Sequence, residues 1–185
     1  MAEILLISGS PTTPSKSAAL LEYSREWLGG RSPFETVLVS VRDFSADDLI
    51  LAKYESPSFY VFKQQVSNAA GIIVSTPVYK AAYTGSLKAL LDILPQYAFR
   101  GKTILPLASG GSPGHLLAID YAIKPVLSTL GASDILQGVY LIDQQLRIEN
   151  GQAVIADEVR QRLDESLAQF VANLEIRLTV SLNRY

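Results

Sequence analysis

Runs of apolar residues, separated by turns rich in hydroxyls, glycine and proline, dominate the pattern of the chain. Four consecutive apolar residues at 4–7 predict a strand buried on both faces, because a solvated face would require alternation with polar residues. Similar runs predict strands at 36–41, 71–76, 103–108 and 135–141. Apolar residues at helical spacing predict helices over 15–28, 58–69, 85–93, 115–130 and 157–178. This alternation indicates a doubly wound α/β fold, a five-stranded parallel sheet with helices on both faces.

Three loops, 8–17, 77–84 and 109–114, follow strands that would be contiguous in the flavodoxin-like order 2-1-3-4-5. Ligands of open α/β sheets bind outside the carboxyl ends of the strands, so the loops should form one site. The first loop is rich in hydroxyls and ends at a helix start, where free N–H groups and the helix dipole attract phosphate. The second loop could hold a planar ring, and the backbone of the third loop could approach the polar edge of that ring. Such a site suits a mononucleotide such as FMN. The alternatives are a plain turn capped by Ser15 or Ser17 and, for the third loop, a flexible turn.

Composition narrows the class of protein. Sixteen Lys+Arg against 18 Asp+Glu give a net charge of −2 without a basic cluster, so we expect no binding to nucleic acid or to a membrane. The absence of cysteine and the single histidine, His115, leave little for a metal, and we expect none. No apolar run approaches the roughly 18 residues of a membrane span. We expect a cytoplasmic protein with one domain over 1–178 and a C-terminal tail over 179–185.

Other nucleotide and hydrolase motifs are missing. Lys16 and Ser17 lack the preceding glycine of a P-loop, and Gly9 stands alone where a dinucleotide fingerprint needs three glycines. Lys16 is therefore read as a solvated residue at a helix start. No G-x-S-x-G elbow occurs, so a hydrolase triad would have to be built around His115. Because His115 opens a helix beside the glycine-rich loop, capping or lining a ring explains it as well as acid–base catalysis does.

The predicted helix over 115–130 has two unusual properties. Pro125 lacks an N–H and its ring clashes with the carbonyl of Tyr121, so the helix must open there as a proline kink, the simpler outcome, or as a π-bulge. The helix is also apolar almost all round, whereas a helix covering a sheet needs apolar residues on only part of its circumference. The surplus face predicts a subunit contact, and closed symmetry makes a homodimer or a dimer of dimers the expected assembly.

Three stretches resemble one known family. Residues 75–92, S-T-P-V-Y-K-A-A-Y-T-G-S-L-K-A-L-L-D, look like the signature of the NADPH-dependent FMN reductase family, and G-S-P-x-x-P-S-x-S at 9–17 looks like its phosphate loop, written here as G-S-P-T-T-P-S-K-S. Residues 106–128 are similar throughout to the reductases of two-component alkanesulfonate monooxygenase systems. The resemblance implies an enzyme that uses NADPH, or NADH, to reduce FMN and releases reduced FMN to a flavin-dependent monooxygenase, often as a homotetramer.

The resemblance also implies roles for individual residues. The phosphate of FMN would lie on Ser10, Ser15 and Ser17. Its isoalloxazine would lie against Pro77, Val78, Tyr79 and Lys80, with its polar edge on Ser109, Gly110, Gly111 and Ser112. Tyr121 matches a tyrosine at a subunit contact near the flavin, where it could gate the site. Thr12 departs from the family, which commonly has arginine there, and the lost guanidinium bears on flavin affinity and on the choice between NADPH and NADH.

The chemistry implied needs no catalytic acid or base, because the protein only positions the two rings and sets the polarity around the flavin. A flavoprotein that keeps its FMN and reduces a quinone or azo compound is the alternative enzyme. A flavodoxin-type electron carrier is the alternative outside enzymes. Such carriers usually have a strongly acidic docking face, and the net charge of −2 argues against one.

Overall fold

Strands and helices alternate along the chain as the sequence pattern predicted. The computed structural model describes residues 3–182. The strands are β1 (Glu3–Ser8), β2 (Glu35–Ser40), β3 (Ala69–Tyr79), β4 (Ala82–Tyr83), β5 (Thr103–Gly110), β6 (Asp134–Ile135), β7 (Val139–Ile142), β8 (Leu146–Glu149) and β9 (Gln152–Ile155). The α-helices are α1 (Lys16–Gly29), α2 (Ala46–Ile50), α3 (Pro57–Asn68), α4 (Gly85–Asp92), α5 (Lys124–Thr129) and α6 (Asp157–Leu182). Three 3₁₀ turns (Val41–Asp43, Pro113–His115 and Asp143–Gln145) and a π-helix (Ile119–Ile123) lie between them.

The central sheet is parallel and has the strand order β2-β1-β3-β5, with β6 and β7 both paired to β5 at the far edge. This confirms the predicted doubly wound fold, but the fifth predicted strand, 135–141, is split in two. The interruption lies beside Pro106 of β5, which has no N–H to offer an edge strand. Gly138 crosses this point with a φ of +86°, and a Cβ there would lie 2.6 Å from the Pro106 carbonyl oxygen.

Each face of the sheet has its own core. On one face α3 and α4 bury residues such as Phe59, Phe62 and Leu87 against the sheet, which confirms the predicted apolar stripe of α3. On the other face α1 and α6 bury residues such as Leu20 and Phe170. None of the helices within residues 3–182 has the length and apolar character to cross a bilayer.

Several predicted boundaries were wrong. The region 77–84 is not a loop, because β3 continues to Tyr79 and forms a two-residue hairpin with β4. Ser109 and Gly110 belong to β5, since they continue its ladder with β7. Helix α6 runs four residues past 178, so the first part of the predicted tail is helical and residues 183–185 lie outside the described residues. The antiparallel hairpin of β8 and β9 was not predicted.

The predicted helix over 115–130 is broken into three parts. A 3₁₀ turn ends at His115, the π-helix follows, and α5 begins at Lys124. The Lys124 N–H donates to the carbonyl of Ile119, five residues earlier. Of the two expected consequences of Pro125, the structure shows the π-helix and not a simple kink.

Candidate functional site

The three segments predicted as loops, 8–17, 77–84 and 109–114, meet at the carboxyl edge of the sheet. The Gly9 N–H donates to the Ser75 carbonyl at 2.7 Å, which joins the end of β1 to β3. The Thr84 hydroxyl donates to the Gly9 carbonyl at 2.5 Å, which joins the first loop to the start of α4. A Cβ on Gly110 would lie 3.4 Å from the Cβ of Val78, so the end of β5 lies against the end of β3. One continuous site therefore spans β1, β3 and β5.

The first loop presents hydroxyl groups at the start of α1. Ser15 is the N-cap, as one of the two sequence interpretations predicted, and its Oγ accepts from the Ala18 N–H at 3.3 Å. Its Oγ also lies 3.0 Å from Ser17 Oγ, and Ser17 is fully buried. Ser10 is buried as well, with its Oγ 3.3 Å from Thr12 Oγ1. Hydroxyls and free helix N–H groups converge here, which is a suitable seat for a phosphate.

Lys16, at the same helix start, does not point freely into solvent as the sequence suggested. Its Nζ donates to Asp143 Oδ1 at 2.8 Å and to the Asp143 carbonyl at 3.0 Å. Asp143 follows β7, so this ion pair ties the first loop to the far side of the site. The charge of Lys16 is therefore already balanced, and the seat depends on hydroxyl and N–H donors.

The hairpin at the end of β3 forms one wall of a broad depression. Val78, Tyr79, Lys80, Ala81 and His115 line this depression of about 710 Å³. Lys80 and Ala81 form the turn of the hairpin and have φ values of +52° and +66°, a conformation that costs non-glycine residues energy and that clusters at functional sites. Tyr79 remains 47% exposed. The depression is wide and has shallow walls. A planar ring bound there would keep one face open for a second ring to stack on it.

His115 lines the depression, and one of its ring nitrogens has no hydrogen-bond partner among the described residues. That atom, Nδ1, is buried. An unpaired buried polar atom costs free energy, so it is expected where a ligand supplies the partner. This observation fits the ring-lining interpretation of His115.

The third loop is held by a tyrosine that the sequence did not single out. Tyr140 on β7 donates its hydroxyl to the Ser112 carbonyl at 2.6 Å, and a Cβ on Gly110 would lie 2.6 Å from that hydroxyl. Burial, with the charge of Asp143 as a smaller cause, raises the pKa of Tyr140 and keeps it a donor. Gly111 lies next to Asp143, whose Oδ2 would be 3.6 Å from a Cβ there. Tyr140 therefore fixes the backbone from Gly110 to Ser112.

Pro77 and Ser109 pair with each other in the β3–β5 ladder, so their backbones lie at the base of the site. Tyr121 is 78% exposed and lies on the π-helix, which packs against β4, but it does not line the depression. Leu116 and Leu117, each 55% exposed, lie close to it in sequence. We call Leu116, Leu117 and Tyr121 the π-helix patch.

The residues present fit FMN. The hydroxyl seat suits its phosphate, and the depression lined by Val78, Tyr79 and His115 suits its ring. Gly9 matters to the fit because a Cβ there would lie 2.8 Å from the buried Leu87 side chain, so the loop could not approach α4. Across residues 3–182, no three His, Asp or Glu side chains come together to hold a metal ion.

The chain is similar to several known FMN reductases. The sequence profile of a family described as NADPH-dependent FMN reductase matches residues 2–147. The chain is 46% identical to FMN reductase (NADPH) of Escherichia coli strain K12, over 90% of this chain and 87% of that protein. It is 48% identical to FMN reductase (NADPH) of Pseudomonas putida strain KT2440, over 90% and 85%. Among solved structures, the apo form of the NADH:FMN oxidoreductase EmoB superposes with a TM-score of 0.84 at 36% identity, over 94% of this chain and 90% of that one.

Proposed function

The chain belongs to the NADPH-dependent FMN reductase family, and from that premise we propose that it supplies reduced FMN to a separate flavin-dependent monooxygenase of the alkanesulfonate type. The enzyme oxidises NADPH and reduces FMN. The observation that carries the proposal of export is the openness of the depression, whose wall residue Tyr79 is half exposed. A flavin bound there could leave without the unfolding of any element.

We assign the binding residues as follows. Ser10, Ser15 and Ser17, with the N–H groups at the start of α1, hold the phosphate, and Thr12 lies at the edge of that seat. Pro77, Val78, Tyr79, Lys80 and His115 line the ring, and Ser109, Gly110, Gly111 and Ser112 lie along its polar edge. When bound, FMN accepts a hydride from the nicotinamide of NADPH.

The side chains act by position and polarity. The apolar wall of Val78 excludes water from one side of the depression, and the ring of His115 forms part of its lining. Tyr140 positions the backbone of the third loop through Ser112, without contacting the ligand in our assignment. No general acid or base is needed, because hydride transfer between stacked rings depends on orientation.

The assembly is part of the proposal. The π-helix patch leaves three large side chains in solvent, and such a surplus of apolar surface is typical of an interface. We infer a homodimer or a homotetramer in which Tyr121 closes over the site of a neighbouring subunit and gates flavin transfer. We also propose a cytoplasmic location, since reduced pyridine nucleotides are produced and used there.

The test of export is a comparison of free and retained flavin. The protein should lose its FMN on dialysis, and added FMN should then stimulate NADPH oxidation in a saturable manner. A protein that stays yellow after dialysis, and whose NADPH oxidation responds to a quinone but not to added FMN, would be the FMN-retaining alternative. Indifference to NADPH altogether would contradict the reductase function itself.

Tyr121→Ala tests the assembly. We expect slower release of reduced flavin with an unchanged far-UV circular dichroism spectrum, because Tyr121 is 78% exposed in the single chain and does not support its fold. Light scattering of the wild type should show a dimer or tetramer. A monomer at micromolar concentration, or wild-type kinetics for Tyr121→Ala, would contradict the gating role.

A further inference from the structure

A second cleft lies beside the phosphate seat, on the side away from the ring depression. It has a volume of about 270 Å³, and its lining residues come from the first loop, the segment after β2, α2 and α4: Pro11, Val41, Arg42, Phe44, Ala46, Leu49, Ile50, Ser86 and Ala89. We call it the Arg42 cleft. Its walls are largely apolar, with one cation among them. Its volume is slightly below the roughly 300 Å³ at which pockets for whole ligands begin, so it suits part of a larger ligand.

The cleft belongs to the same edge of the sheet as the flavin site. Ser8 of β1 pairs with Ser40 of β2, so Arg42, two residues later, lies at the level of the first loop. Pro11 lines the cleft and is flanked by the phosphate-seat residue Ser10. A ligand whose reactive end lies over the flavin could therefore extend its other end past the seat into the cleft.

Arg42 is exposed and carries an unbalanced charge. Its guanidinium has no ion pair within the part of the chain that the structure describes. The neighbouring carboxylate, Asp43, is used in a turn, where its Oδ2 accepts from the Ser40 N–H at 2.8 Å. By contrast, Lys16 is paired with Asp143 and Lys88 with Asp92. A free guanidinium beside an apolar cleft is suited to a ligand with a phosphate next to a flat apolar ring.

We propose that the Arg42 cleft binds the adenosine end of NADPH, with adenine between the apolar walls and the 2′-phosphate on the Arg42 guanidinium. This inference rests on the reductase function. NADPH combines a purine with a phosphate that NADH lacks, so Arg42 would select NADPH.

The first experiment measures binding without turnover, by titration calorimetry with adenosine 2′,5′-bisphosphate and with 5′-AMP. Arg42→Ala should weaken the bisphosphate about ten- to a hundredfold, as expected for the loss of a charge-assisted contact, and leave 5′-AMP unchanged. Arg31→Ala is the matched control. The Arg31 guanidinium lies over the Trp27 ring, beyond the C-terminal end of α1, whereas the phosphate seat lies at the N-terminal end of that helix. Equal bisphosphate affinity in wild type and Arg42→Ala would overturn the proposal.

The second experiment separates this inference from the reductase function. Arg42→Ala should raise KM for NADPH but not for NADH or for reduced nicotinamide mononucleotide, which has no adenosine. Ala89→Phe, which fills the cleft, should raise KM for NADPH and NADH and spare the mononucleotide. If none of the three nicotinamide donors reduces FMN, the proposed reductase function is wrong. The calorimetry would still decide whether the Arg42 cleft binds the adenosine end of the nucleotide. If Ala89→Phe changes the oligomeric mass and neither KM, the cleft is a subunit contact and the inference is wrong.

Discussion

Replacement of Thr84 by valine should both destabilise the fold and loosen the proposed flavin site. Thr84 is 2% exposed, and its Oγ donates to the Gly9 carbonyl at 2.5 Å while accepting from the Leu87 N–H at 3.1 Å as the N-cap of α4. It is also contacted by Ser86 Oγ at 3.1 Å. Valine has a similar shape and suits the extended backbone of the cap, so the change removes these hydrogen bonds with little steric effect.

The expected magnitude follows from the groups left unpaired. Loss of an N-cap costs about 0.5–2 kcal/mol. The Gly9 carbonyl belongs to a buried residue, and an unsatisfied buried acceptor costs about 1–3 kcal/mol. We therefore expect Thr84→Val to lower the free energy of unfolding by about 3 kcal/mol, which a domain of typical stability survives. FMN affinity should fall too, because Gly9 precedes Ser10 of the phosphate seat.

Urea unfolding at 25 °C measures the first effect, with an unchanged m-value as the check that the unfolded state is comparable. Thr84→Ser keeps the Oγ and should cost far less. Ser45→Ala removes the exposed cap of α2, where Ser45 Oγ accepts from the Asp48 N–H at 3.1 Å, and so reports the capping contribution alone. A loss below about 1 kcal/mol for Thr84→Val, or an equal loss for Thr84→Ser, would refute the reasoning.

Three further predictions concern the third loop, pH and the phosphate seat. Gly110→Ala should destabilise the protein by about 1–3 kcal/mol, because the added Cβ would lie 2.6 Å from Tyr140 Oη. The loss of stability should be smaller in a Tyr140→Phe background, and a double-mutant cycle by urea unfolding measures the difference. Burial and the hydrogen bond to Asp164 raise the pKa of Tyr23 from 10.0 to about 12. The folded state therefore holds this proton more tightly than the unfolded chain, so wild type should lose stability faster than Tyr23→Phe as the pH rises from 10 to 12. Ser17→Ala should weaken FMN about ten- to a hundredfold in a fluorescence titration, whereas Ser24→Ala, buried on the same helix and bonded to Leu20, should not.

Each of these predictions has a result that would contradict it. An undiminished effect of Gly110→Ala in the Tyr140→Phe background would place the clash elsewhere. Parallel stability curves for wild type and Tyr23→Phe above pH 10 would mean that the Tyr23 proton is not held by folding. Equal FMN affinity in Ser17→Ala and wild type would remove Ser17 from the seat.

The fold could be predicted because its strands are continuous apolar runs. A strand buried on both faces leaves a signal that depends on few neighbours, and the buried run 4–7 gave β1 almost unchanged. The ends of β3 and β5 could not be predicted, because Pro77 and Ser109 look like loop residues and enter strands only through their pairing with each other. The β8–β9 hairpin does have a local signal in the sequence, Asn150-Gly151 between alternating residues, which is typical of a two-residue turn.

That the three segments meet at one edge of the sheet was predictable, but the contacts between them were not. The loop composition and the topology rule together placed the hydroxyl seat and the ring wall at one edge. The pair of Lys16 and Asp143 joins residues 127 apart in sequence, and no local pattern signals such a contact. Tyr140 gave no signal either, since a tyrosine in an apolar strand looks like core. Thr84 could have been identified, because a threonine directly before an apolar helix is a common N-cap.

The turn at Lys80 and Ala81 has a consequence for stability engineering. Two-residue hairpins favour Asn-Gly at such positions, and left-handed backbone costs other residues on the order of 1–2 kcal/mol each. A library selected only for thermal tolerance should therefore accumulate asparagine and glycine at this tip. The same exchange would remove a cation and a methyl group from the wall of the depression. The selected heat-tolerant variants would thus be enriched in changes to the wall of the proposed flavin site. A screen of this enzyme should therefore measure turnover and melting temperature together.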